Sequence, residues 1–153
     1  MRRARRWSEL LDDRGSAALE FIVVGLLLLV PITYLVVALG QIQGQSLGVQ
    51  AGARVIARAV ATAPDAATAS ERAHRELASI AAEYELDPGL IAIDLACAPA
   101  GVACPSAGAT VTVTVSTRVA LPLVPPVFGA DRAASVPVEA RATQKVSRFW
   151  SGR

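Results

Sequence analysis

The stretch from Phe21 to Gly40 carries no charged residue, and directly before it stands a single carboxylate, Glu20. About 20 residues of helix, rising about 1.5 Å each, match the roughly 30 Å hydrocarbon core of a bilayer. A run of this length and composition points to a chain inserted in a membrane. Pro31 removes one backbone hydrogen bond within it, a defect that a membrane helix tolerates as a kink. Glu20 is the anomaly. An ionisable group at the lip of an apolar span is costly, and such groups by default carry function.

The charges around the run set its orientation. Arg2, Arg3, Arg5, Arg6 and Arg14 precede it against Glu9, Asp12 and Asp13, and the next basic residue is Arg54. This asymmetry predicts a cytoplasmic N-terminus and an extracytoplasmic C-terminal part. The remainder holds ten basic and ten acidic residues. Without a basic stripe it lacks the clustered phosphate-neutralising charge of a nucleic-acid binder. A cleavable secretory signal is another reading, because Ala38-Leu39-Gly40 has small residues spaced like a cleavage site. The apolar region is nevertheless longer than the roughly 7–15 residues of a signal core.

Beyond the span, Gly40, Gly44, Gly48 and Gly52 recur at four-residue spacing and line one stripe of a continuing helix. Each glycine costs nearly 1 kcal/mol relative to Ala in a helix, so something must offset them. Close approach of another helix is the candidate, the use that small-xxx-small patterns have in membranes. Gly44-Gln45-Ser46-Leu47-Gly48 also matches the G-x-S-x-G pattern of a hydrolase nucleophile. That elbow requires a strand before it and a helix after it, whereas here a membrane span precedes. His74 is the only histidine and no βα alternation surrounds the motif, so no catalytic residue is assigned.

Pro64-Asp65 marks a break, after which Ala66 to Glu85 fits a second helix with Ala73, Leu77, Ile80, Ala81 and Tyr84 on one face. Glu71 and Arg75 are spaced to pair on its solvated side. Asp87-Pro88-Gly89 is a turn and helix stop. The period then changes to two. Ile91, Ile93 and Leu95 share a face. Val111, Val113, Val115 and Val119 oppose Thr110, Thr112, Thr114 and Arg118, and Val136, Val138, Ala140 and Ala142 oppose Pro137, Glu139, Arg141 and Lys145. Three such runs in succession predict an antiparallel meander with one covered face, Pro137 suiting an edge strand. The connection from Leu121 to Gly129 is unusually apolar, suited to covering a sheet edge or contacting another subunit.

Cys97 and Cys104, both on the predicted outer side, flank the first connection. A bridge would close a loop worth about 2.5 kcal/mol by the loop-entropy estimate. Metal binding is the alternative, although two thiols alone do not complete a four-ligand zinc site. No cofactor is indicated. The expected fold is α+β: a long N-terminal membrane-spanning helix, a second helix, and a small three-stranded antiparallel meander. The expected divisions are 1–15, a basic leader; 16–63, the transmembrane helix and its extension; and 64–153, an extracytoplasmic α+β domain.

Gly15 followed by four uncharged residues, then Glu20-Phe21 and a long apolar helix after a short basic leader, resembles the processing site of type IV prepilins. With the proline-containing span and small outer domain, Arg14-Gly15-Ser16-Ala17-Ala18-Leu19-Glu20-Phe21 is most similar to TadE-like pseudopilins of the tight-adherence (Tad/Flp) system. The resemblance implies a pilin-like, non-enzymatic subunit cut by a membrane prepilin peptidase between Gly15 and Ser16. Glu20, then the fifth residue, would neutralise the new amine of a neighbouring subunit. Other pilins and the Tad assembly machinery are the implied partners, and the cytoplasmic membrane or a surface filament the implied location. Major Flp pilins are much shorter and usually carry Tyr where Phe21 stands, which favours a minor subunit. The rival reading is an uncleaved single-pass anchor presenting a binding domain for envelope assembly.

Overall fold

A computed structural model describes residues 16–122, 124 and 134–150. The basic leader, most of the apolar connection and the last three residues lie outside the described residues. The order of elements is α1 (Ser16–Ala61), α2 (Ala66–Glu83), β1 (Ala92–Ala98), β2 (Thr110–Ala120) and β3 (Ser135–Lys145). The fold is thus α+β with a long N-terminal helix. The chain divides into two compact units, Met1–Ala38 and Leu39–Arg153.

In the first unit α1 is helical from Ser16 and continuous through Pro31. Its apolar side chains are nearly all exposed, Phe21 by 79%. A contiguous apolar surface of that extent in a soluble chain is avoided and needs lipid or protein around it. It is the one helix among the described residues long and apolar enough to cross a membrane.

The second unit is built on the remainder of α1. Pro64 stands just after that helix, and Asp65 restarts the chain as the N-cap of α2. The Asp65 carboxylate accepts the Thr68 backbone N–H at 2.7 Å and the Thr68 hydroxyl at 2.9 Å. These bonds, the backbone one first, hold the Asp65 carboxyl below its ordinary 3.8. A lowered folded value stabilises α2 fully above the unfolded value, and that contribution is lost as pH falls through the folded one. Asp65→Asn still caps but cannot titrate, so denaturant midpoints at neutral and acid pH should differ less in the variant than in the parent.

At its other end α2 closes with Glu85 at φ 52° and the Leu86 N–H donating to the Ala81 carbonyl at 2.9 Å. This is the six-to-one bond of a Schellman cap, and it buries Leu86. Asp87 then turns the chain toward the sheet, accepting the Gly89 N–H at its Oδ1 and the Leu90 N–H at its carbonyl. Glu71 and Arg75 form no ion pair. On an exposed helix surface such a pair contributes little.

The sheet is a meander in the order β1-β2-β3, antiparallel throughout. Val111, Val113 and Val115 face inward against Val49, Ile56 and Val60 of α1 and Ala73, Ile80 and Ala81 of α2. The bonds from Val146 to Ala109 and from Leu121 to Ala134 extend the β2–β3 ladder at both ends. They place the ladder bonds on odd positions of β2 and even positions of β3. Pro137 therefore turns its donor-less nitrogen to the open edge, where no bond is lost. Leu95, on the outer strand β1, is exposed although it shares a face with Ile93.

Two further contacts close this unit. Cys97 at the end of β1 is bridged to Cys104, with Cα atoms 5.8 Å apart. The Trp150 indole N–H donates to the Ala63 carbonyl at 2.6 Å, pinning the chain after β3 to the end of the α1 turn. One position is imperfect. Thr117 lies in the inward series of β2, is 5% exposed, and its hydroxyl has no partner. An unsatisfied buried hydroxyl is destabilising, so the near-isosteric Thr117→Val should raise unfolding stability by about 1 kcal/mol.

Candidate functional site

Ser16, the residue after the candidate cleavage bond, is in α1, and Gly15 lies outside the described residues. Glu20 lies in α1 four residues further on with its side chain exposed, and Phe21 beside it is exposed as well. Helical geometry sets the backbone of Glu20 about 6 Å along the axis from that of Ser16. Beside an apolar surface an unpaired carboxylate is costly, and an opposite charge offsets part of that cost.

The glycines at 40, 44, 48 and 52 of α1 do not act together. At Gly48 an added Cβ would stand 2.5 Å from Tyr84 Cγ and 2.7 Å from Tyr84 Cβ, and at Gly52 3.3 Å from Ile80 Cγ2. These two positions let α2 approach α1 closely. At Gly40 and Gly44 the space within 4 Å is empty. Four-residue spacing turns about 40° per step around a helix, so Gly40 faces about 120° away from Gly52. The second helix of the same chain takes one end of the stripe and leaves the other open.

Gly44 borders a concavity of about 260 Å³ shared with Gln41, Gln45, Glu83, Tyr84 and Glu85. Sequence reasoning missed the contribution of α2 here. The signal was Tyr84, an aromatic at the end of an apolar stripe and flanked by two glutamates.

The remaining motifs resolve by their placement. Ser46 lies inside α1, with Gln50 Nε2 donating to its hydroxyl at 3.4 Å, so the strand-turn-helix of a nucleophile elbow is not formed there. His74 is exposed on α2. No three metal-ligating side chains gather among the described residues, and both cysteines are bonded to each other. Compared with known protein families, with curated proteins and with solved structures, the chain matches none.

Proposed function

We propose that the chain is a TadE-like pseudopilin, a minor structural subunit for assembly of a Tad (Flp) adhesion pilus. It is inserted with its N-terminus in the cytoplasm and cleaved after Gly15 by a prepilin peptidase. The observation that carries the reading is α1 itself. It is helical at Ser16 and onward, sets an exposed Glu20 four residues later, presents an unpacked apolar surface along the span, and runs into a small α+β unit. An anchor needs the apolar length but gains nothing from a carboxylate at its lip, whereas a subunit that packs against copies of itself uses both.

The Cys97–Cys104 bridge supports an outer, oxidising location for the second unit. The open Gly40 and Gly44 support close packing of the helix against other pilins. Removing the leader also deletes the five arginines that hold the N-terminus on the cytoplasmic side.

N-terminal sequencing of the protein from membranes of cells that carry the peptidase tests the reading. A start at Ser16 is expected. An intact leader would favour the uncleaved anchor.

A further inference from the structure

Arg54 and Arg58 of α1 are exposed, and neither has an ion-pair partner: the one salt bridge among the described residues joins Arg141 to Glu139 at 2.9 Å. Leu47, 60% exposed, and Val55, 41% exposed, stand with them. At 100° per residue, positions 47, 54, 55 and 58 fall within about 100° of arc, so they form one exposed surface that carries both arginines beside apolar side chains.

The concavity beside Gly44 has the opposite character. Glu83 and Glu85 are exposed and their carboxylates are unpaired; only the Glu85 backbone carbonyl is engaged, by Gln45 Nε2 at 3.4 Å. Tyr84 stands between them, and Gly44 leaves its side of the concavity open. Carboxylates accept guanidinium N–H bonds in pairs, and an aromatic ring attracts the cation, so these groups suit an arginine.

We propose that this concavity is a socket for the Arg54–Arg58 face of a second copy of the chain, a contact that rests on the assembly reading above. Charge complementarity favours this occupant, and the exposed Leu47 and Val55 beside Arg54 and Arg58 give it the apolar surface that the Tyr84 side of the concavity can cover. The socket lies level with residues 41–48 of its own α1, and the arginines lie about ten residues further on. The second copy is therefore displaced about 15 Å along the helix. The two surfaces differ, so each copy offers both, and the contact propagates into an open array instead of closing as a dimer.

The test uses the full chain in its membrane, with two differently tagged copies expressed together. One carries Gln41→Cys and the other Val55→Cys, and a short bismaleimide joins them. The native cysteines are bonded and silent to the reagent. A product linking the two tags is expected for the mixed pair and not for either variant alone. With wild-type cysteines, Arg54→Glu with Arg58→Glu, or Glu83→Arg with Glu85→Arg, should lower co-isolation of the tags by about tenfold, and combining the reversals should restore it. Loss without restoration, or a mixed product no greater than that of the single variants, overturns the socket. Sequencing the N-terminus of the same material separates the two readings, because a chain that starts at Ser16 yet gives no mixed product sinks the socket alone.

Discussion

Gly48→Ala should lower unfolding stability by about 2 kcal/mol, although alanine is the better helix former by nearly 1 kcal/mol. The new methyl would sit 2.5 Å from Tyr84 Cγ and 2.7 Å from Tyr84 Cβ. A flexible side chain could swing its far end away, but Tyr84 Cβ is one bond from the backbone. Relief must come from moving the end of α2. That end is held by the Leu86-to-Ala81 bond and by burial of Leu86, so the helices separate along a close contact or the cap breaks. Gly44→Ala, with nothing within 4 Å, should instead stabilise by about 1 kcal/mol, the full helix-propensity gain. Denaturant unfolding followed by tryptophan fluorescence, to which the docked Trp150 contributes, distinguishes the two. Equal midpoints for Gly48→Ala and the parent would mean that α1 and α2 do not approach as described.

The contrast between those two glycines shows what the sequence could and could not reveal. Both sit at four-residue spacing in the same helix, and nothing local separates them. Only the crossing of α2, which brings Tyr84 and Ile80 onto Gly48 and Gly52, assigns them different neighbours. The periodic elements were legible because burial repeats with the geometry of the chain. The valines of β2 face inward at every second position, and the small and apolar residues of α2 return to one face. Its start was legible too, because Asp65 acts on its own neighbours.

Contacts between distant residues left no such trace. Trp150 reaches Ala63 across 87 residues, and its docking follows from where β3 ends rather than from any pattern around it. The concavity at Glu83 and Glu85 escaped notice for the same reason: two glutamates at a helix end read as a solvated surface until Gln41 and Gly44 are placed beside them.

Glu20→Ala should leave the second unit folded while association between copies falls by about 100-fold or more. The side chain is exposed at the start of α1, so its removal breaks no contact within the chain, and the unfolding midpoint should stay within about 0.5 kcal/mol of the parent. Insertion into the bilayer should improve slightly, because a charged group beside hydrocarbon is lost. Assembly is affected in the opposite direction. In the proposed filament each Glu20 faces the Ser16 amine of a neighbour among apolar helices. Taking away one partner of such a pair strands the other at a cost of about 3–5 kcal/mol. Glu20→Gln sharpens the test, since it keeps the shape and removes the charge. Co-isolation of tagged copies, read beside the N-terminal sequence, separates lost pairing from lost cleavage. A Glu20→Gln chain that starts at Ser16 and associates as well as the parent would show that the charge is not what joins the copies. The glutamate would then be an interfacial residue reaching for the headgroups.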